Sequence, residues 1–546
     1  MMKMSIIKHF DKRSGITYVY ESTSYWDKEK QQPRSHRTLI GKIDKETGEM
    51  IPTDGRGKKR MAKAAEAVSK PKQGPVPSLL TEKYFYGATY LLDQIGKETG
   101  ISEDLKACFP EDYKKILSIA YFLILEDNNP LSRFGKWSKL HKHPYGKDIP
   151  SQRSSELFQS ITEEAKMRFF RLQGKRRIEK EYWAYDTTSI SSYSEKLKQV
   201  KYGKNKDNEP LAQINLALLF GETSGLPFYF RKVAGNIPDV KTINELVRKL
   251  DILGYGKIKL VMDRGFYSTA NINDLYKGHH KFIVGASTSL SYAKAYIKEI
   301  GDSMQNYARY NEQYEVYIAS KTISWDYTQD RPYKGDPITG DRRMYLHLYY
   351  NPEKAVEDGK QFNRYLKKLE NELLSGKHDS AHENAYKKYF TVKKTPVRGI
   401  QIEPIDKAMA EAGKLHGYFI LLSNKVKDPV AALELYRTRD VVEKAFGNLK
   451  ERLNCRRTLV SSDQSLDGKI FVEFIALIYL SYIKKKMEEK KLFSKYTLQG
   501  LLDELDVIEC FSEPGKALIQ GEVLKKQEQL YIDMGVKPLL AKPSEV

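Results

Sequence analysis

The sequence predicts a mixed α/β chain whose central core is interrupted by a β-rich insertion and preceded by an N-terminal β module and a helical domain. Three observations carry this. Residues 181–287 alternate strand and helix signals in the order β-β-β-α-β-α-β. Strand-like pieces then crowd residues 288–424, and a charged amphipathic stretch follows at 434–453. Upstream, residues 15–51 alternate as strands, whereas 81–180 carry helical spacing.

The balance of charge bounds the partners. The chain has 546 residues, with 92 Lys+Arg against 71 Asp+Glu, a net charge of +21. That excess favours a polyanion, nucleic acid first, although membrane-surface and ribosome-associated proteins share it. With 37 Tyr and 21 Phe the chain has the apolar bulk for a large core and is no disordered basic tail. Cys108, Cys455 and Cys510 form no CxxC pair, which fits a reduced, cytoplasmic compartment. The opening MMKMSIIKHFDKRSG lacks the apolar core of a signal peptide. The longest apolar run, residues 470–483, is interrupted by Glu473 and falls short of the ~20 residues that span a bilayer. It reads as a buried helix, so no membrane partner is expected.

In order along the chain, residues 1–55 form the β module, with ITYVYES and RSHRTLIGKI as strands and DKETGEM as a tight turn. Residues 56–80 read as a basic linker, its lysines and arginines facing the single acid Glu66 before Pro71, Pro75 and Pro77. Both a DNA-phosphate contact and a solvated tether fit it. In 81–180, TEKYFYGATYLLDQIGKETG places Tyr84, Phe85, Ala88, Leu91, Leu92 and Ile95 at helical spacing. A helical DNA-binding module and a plain helical scaffold fit equally.

The core follows. EYWAYDTTSI (181–190), LAQINLALLFG (211–221) and LPFYFRKV (226–233) read as an antiparallel meander, with a Lys-rich loop carrying Lys196, Lys198, Lys201, Lys204 and Lys206 after the first strand. Asp239 is placed as the N-cap of the helix VKTINELVRKL. KIKLVMDRGF (257–266) reads as a buried parallel strand, TANINDLY as a helix and KFIVGAS (281–287) as a fifth strand. This order is that of a ribonuclease-H-like core. The insertion, 288–424, contributes YEVYIASKTISW, RRMYLHLYY, GYFILLSN and a charged helix near 353–374. Residues 425–485 return to the core, and 486–546 form a C-terminal helical region.

Two aspartates give the core a chemistry. Asp186 lies in the first strand and Asp263 at the end of the fourth. In this topology those strands adjoin, so the carboxylates meet at one sheet edge. The stretch ELYRTRDVVEKAFGNLKERL reads as one helix, and Tyr436, Arg439, Glu443 and Lys450 fall on a stripe about 60° wide at roughly 100° per residue. Alone, such a stripe is an ordinary solvated face. Set against the strand aspartates, it brings Glu443 to the same edge. Three converging carboxylates repel unless cations neutralise them, and hard oxygen ligands suit Mg²⁺ or Mn²⁺. Two ions about 3.5–4 Å apart can activate an attacking oxygen and stabilise a leaving one.

Here the sequence resembles a known family. Tyr436–Lys450 reads Y-x2-R-x3-E-x6-K, the signature of DDE insertion-sequence transposases of the YREK group, which is IS-four-like and carries a β-strand insertion domain. WAYDTTSI and VMDRGFYS look like its two aspartate motifs. The N-terminal YVYESTSYWDKEKQQPRSHRTLIGKIDKETGE is similar to the start of one branch. The resemblance implies that Asp186, Asp263 and Glu443 hold the metal, two Mg²⁺ or Mn²⁺ ions. Tyr436, Arg439 and Lys450 would hold terminal phosphates of the transposon end. It further implies metal-dependent cleavage at transposon ends, a hairpin intermediate, strand transfer into target DNA and a homodimer bridging both ends in a prokaryotic nucleoid. Rival readings are a nuclease of the same fold without strand transfer, and a DNA-binding protein whose site is idle.

Two other features draw attention. His378 and His382 have metal spacing with Glu383 beside them, yet HDSAHENAYKK is polar and lacks a strand context. Trp325 reads as a core or sheet-face residue, with stacking on a displaced base as the alternative the resemblance suggests.

Overall fold

The computed structural model describes residues 4–27, 31–52, 81–176, 181–255, 258–330, 335–395, 399–453, 455–458, 460 and 462–539. The basic stretch read as a linker, 56–80, lies outside the described residues. The chain divides into two units, residues 1–83 with 510–520, and residues 84–509 with 521–546.

In the first unit, β1 (Met4–Asp11), β2 (Ile16–Asp27), β3 (Gln32–Ile43) and β4 (Met50–Pro52) pair in sequence order. The pairing is antiparallel throughout. Local side chains fix the turns. Asp11 accepts from Ser14 Oγ at 2.7 Å and Asp44 accepts from Glu46 N at 2.8 Å, while Gly48 takes the left-handed conformation at φ +68°. The first of these strands precedes the stretch whose alternation the sequence displayed.

The region read as helical does begin with a strand. β5 (Glu82–Phe85) takes Tyr84 and Phe85 out of the helical pattern, and the first helix spans Gly87–Glu98. Gly87 lets the start of this helix approach its neighbour closely, because a Cβ there would lie 2.1 Å from the Leu505 carbonyl oxygen. Five more α-helices run to Lys175, among them Tyr113–Leu125 and Ser151–Ser160. They gather around a 27-residue helix, Asp463–Glu489, that contains the long apolar run. Its side chains are buried nearly all round, as expected of a helix enclosed by protein. Phe471 packs on Phe109, Phe169 and Phe170, and Gly468 abuts the Phe158 backbone so closely that a Cβ would meet its carbonyl oxygen at 2.0 Å. Among the described residues no helix is long and apolar enough to cross a membrane.

A nine-stranded sheet forms the centre of this unit. Its strands are β6 (Trp183–Ser191), β7 (Gln213–Gly221), β8 (Pro227–Ala234), β9 (Lys259–Met262), β10 (Lys281–Ala286), β11 (Tyr310–Asn311), β12 (Val316–Gln329), β13 (Ile338–Tyr350) and β16 (Tyr418–Ser423). A separate hairpin supplies β14 (Phe390–Thr395) and β15 (Gly399–Pro404). The sheet order is β11-β12-β13-β16-β10-β9-β6-β7-β8. β6, β7 and β8 pair antiparallel, whereas β6, β9 and β10 are parallel neighbours. Helices Thr242–Ile252 and Thr269–Lys277 connect β8 to β9 and β9 to β10.

Within 288–424, β11, β12, β13 and β16 extend this same sheet through β16 on β10, and among the described residues only the β14–β15 hairpin stands apart from it. The rest of that stretch is substantially helical, with Pro352–Ser375, Glu383–Tyr389 and Asp406–Gly413 around the β14–β15 hairpin.

Candidate active site

The register of two parallel strands positions the aspartates. Ala184 pairs with Val261 and Tyr185 with Met262, so Asp186 and Asp263 are the next residues along neighbouring strands. β9 ends there because Asp263 takes an extended conformation and leads into a tight helical turn, Arg264–Phe266. The strand therefore stops four residues short of Phe266, where the stretch read as a strand ends. Asp186 accepts from the Thr187 amide at 2.7 Å and is only 13% exposed. Burial pushes its carboxyl above the ordinary value, against the pull of Lys206.

Asp263 has a different environment. Burial acts to raise its carboxyl, but the Arg439 guanidinium and the Tyr436 hydroxyl outweigh that and hold it below the ordinary value. The Tyr436 hydroxyl donates to Asp263 at 2.8 Å, and Arg439 forms an ion pair with the same carboxylate. A second nitrogen of Arg439 donates to Glu443 at 3.0 Å. Gly285 in β10 makes room for this arrangement, because a Cβ there would stand 2.9 Å from the Tyr436 hydroxyl.

The stretch at 434–453 is not one helix. Helices Pro429–Arg437 and Asp440–Gly447 meet at a tightened junction, and residues Asn448–Arg452 widen into a π-turn. At the junction the amides of Arg439, Val441 and Val442 reach back three residues rather than four. Tyr436, Arg439 and Glu443 still share one cluster. Lys450, beyond the change of pitch, instead reaches Asp207 at 2.6 Å.

The carboxylates converge only in part. Asp186 and Asp263 sense each other's charge, while Glu443 is 55% exposed and joined to Asp263 through Arg439. Among the described residues no three His, Cys, Asp or Glu side chains cluster closely enough to hold an ion. Two cationic side chains, Lys206 and Arg439, lie among the acids instead.

Sequence reasoning passed over two members of the cluster. Asp239 does not cap its helix, whose N-cap is Lys241. Its carboxylate accepts from the Thr187 hydroxyl and pairs with Lys206 at 3.1 Å. Lys206 also donates to the Thr187 carbonyl at 2.6 Å and stands 3.6 Å from Asp186. In the sequence Lys206 is one lysine of five, and no periodicity marks Asp239 as anything but a cap.

Trp325 is buried in β12 and donates to Asn273 at 2.9 Å, so its ring is not presented to a displaced base in this conformation. His382 pairs with Glu372 at 2.8 Å, and His378 stands 3.9 Å from Glu383. No disulfide joins Cys108, Cys455 and Cys510.

The transposase DDE domain family matches residues 180–479, more than half of the chain and all of the acids just described. The chain belongs to the DDE transposases. It is a DNA transposase, an enzyme of a family that generally uses divalent metal ions. No curated protein matches the sequence. Among solved structures it is similar to one described as a piggyBac transposase synaptic complex with hairpin DNA. That likeness has 9% identity and a TM-score of 0.31 over 77% of this chain and 76% of the other. It leaves the mechanism to the residues themselves.

Proposed function

We propose that Asp186, Asp263 and Glu443 are the metal ligands of this transposase and that Tyr436, Arg439 and Lys450 engage the DNA backbone at the transposon end. The observation that carries this reading is the β6–β9 register, which sets two aspartates side by side at the ends of parallel strands. The donor set is all carboxylate, with no His or Cys in it, and suits Mg²⁺ or Mn²⁺, two of them. Lys206 and Arg439 sit where excess negative charge needs compensation, which supports a site built for cations. Bound there, divalent ions supply Lewis acidity and an activated oxygen nucleophile.

The chain's own residues then divide the work. Arg439 ties Glu443 to Asp263, so release of Arg439 toward a DNA phosphate frees both carboxylates. Tyr436 orients Asp263 through its hydroxyl. Lys450, held by Asp207, is within the same reach of the loop that carries Lys206. Strand order β8-β7-β6-β9-β10 supports a ribonuclease-H-like core, with 181–287 and 425–485 as its parts and 288–424 as the insertion. The Tyr-Arg-Glu-Lys spacing supports the YREK group, and with it a hairpin intermediate, a homodimer bridging both ends and a prokaryotic nucleoid setting.

The test is cleavage of end DNA with Mg²⁺, with Mn²⁺ and with chelator. Cleavage should require one of the two ions and vanish in chelator. Full activity in chelator would refute the carboxylate site. A 3′-hydroxyl joined to target DNA separates transposition from simple nuclease action.

A further inference from the structure

In the loop between β6 and β7, residues 192–212, two of the three acids are tied to basic partners, whereas Glu195 is exposed. Asp207 takes Lys450 at 2.6 Å, and Glu209 takes Arg457 at 2.7 Å and the Ser191 hydroxyl at 2.6 Å. One cation, Lys206, reaches Asp186 and Asp239. The remaining lysines, 196, 198, 201 and 204, are exposed. Tyr202, between the last two, is 77% exposed.

The loop is also held firmly. Lys201 exchanges both backbone hydrogen bonds with Gln213, at 2.9 and 3.0 Å. Gly203 presses on the turn after β8, where a Cβ would meet the Gly235 carbonyl oxygen at 2.1 Å. A solvated, drifting loop would need none of these anchors. A loop that presents an ordered cationic surface beside a catalytic carboxylate does.

We propose that this loop is a DNA-backbone guide. Lys201 and Lys204 contact phosphates of the strand entering at Asp186, and Tyr202 lies against that strand between them. The inference rests on the assignment of Asp186 to the catalytic site. It goes beyond that assignment by naming a second DNA-contacting element, on a different part of the core from the helix junction that carries Arg439.

The full chain is titrated with a labelled random-sequence duplex at several salt concentrations. Lys201→Ala combined with Lys204→Ala should weaken binding and reduce the log–log salt slope by about 2, at about 0.9 for each phosphate no longer neutralised. The control removes exposed Lys490 and Lys495. Lys490 lies 27 residues beyond Asp463, whose carboxylate touches the loop backbone, so it is about 40 Å distant along the helix. That control should leave the slope unchanged. On the unaltered protein, duplex DNA should protect Lys201 and Lys204 from chemical acetylation while Lys490 and Lys495 still react. Equal slope changes in both double variants, or acetylation of Lys201 and Lys204 undiminished by DNA, would overturn the guide. Asp186→Asn keeps the two readings apart. If it nicks end DNA like the parent, the catalytic assignment fails. If it is inactive and the loop variants bind normally, only the guide fails.

Discussion

The two halves of the acid cluster are built alike and behave differently. On one side, Asp186 stands in a strand interior, nearly covered, with Lys206 no closer than 3.6 Å. On the other, Asp263 ends its strand, is 45% exposed and takes both the Arg439 guanidinium and the Tyr436 hydroxyl. Burial wins at Asp186 and raises its carboxyl, while partners win at Asp263 and lower it. A carboxylate kept poor in partners retains its demand for a cation. One supplied with partners is stable alone and must surrender them before it can serve another ligand.

Breaking either half should cost catalysis most. Under the proposed metal assignment, Asp186→Asn and Asp263→Asn are each expected to lower single-turnover nicking by about a thousandfold or more, since a metal ligand contributes several kcal/mol to the transition state. DNA binding should be nearly intact in both. Stability separates the two. Asp263→Asn leaves Arg439, 15% exposed, short of its main partner and should destabilise by about 1–3 kcal/mol in denaturant unfolding. Asp186→Asn removes a desolvated charge and should be neutral or stabilising. The same sign in both would erase the distinction between the halves.

Under the proposed assignment of Glu443 to metal, Glu443→Gln should cost nicking far more than end binding, because a metal ligand is needed in the transition state. Arg439→Ala should weaken end binding and reduce the salt slope by about 1, because one phosphate is no longer neutralised. Unchanged nicking in the first variant, or unchanged slope in the second, would return this helix face to the solvated surface it superficially resembles.

Gly285→Ala sharpens the comparison without touching an acid. The added methyl would press on the Tyr436 hydroxyl and stand 3.0 Å from the Arg264 amide. A loss of about 1–3 kcal/mol is expected from overpacking, with nicking reduced as Tyr436 is displaced from Asp263. A fully stable, fully active variant would mean that Tyr436 does not orient Asp263.

The smallest effect is in pH dependence. The lowered carboxyl of Asp263 contributes stability that is present above its unfolded value, about 4, and lost as pH falls through its folded value. Asp186 has the opposite sign, since its raised carboxyl costs stability as pH rises through the folded value. Unfolding free energies measured from neutral to acid should therefore show the gap between parent and Asp263→Asn closing below about pH 4. The gap between parent and Asp186→Asn, opposite in sign at neutral pH, should close as the parent gains stability on acidification.

Much of this was legible in sequence because periodicity is local. The β-branched and aromatic residues of EYWAYDTTSI and the apolar run before Asp263 announced β6 and β9, and the chain order of strands and helices announced which would adjoin. The spacing of Tyr436, Arg439 and Glu443 likewise survived into the folded site. Lys450 did not stay in register, because a π-turn alters the pitch after Gly447, and nothing in the helical pattern of residues 448–452 announces that turn. Asp239 read as a cap because capping is a statistical habit of one residue and its neighbours. Its actual partners, Thr187 and Lys206, lie 52 and 33 residues away, brought together by the sheet. The residue types and their order came from the sequence by itself. Which charges face each other, and which cations stand among the acids, was decided only in three dimensions, because pairing depends on distance across strands and not on separation along the chain.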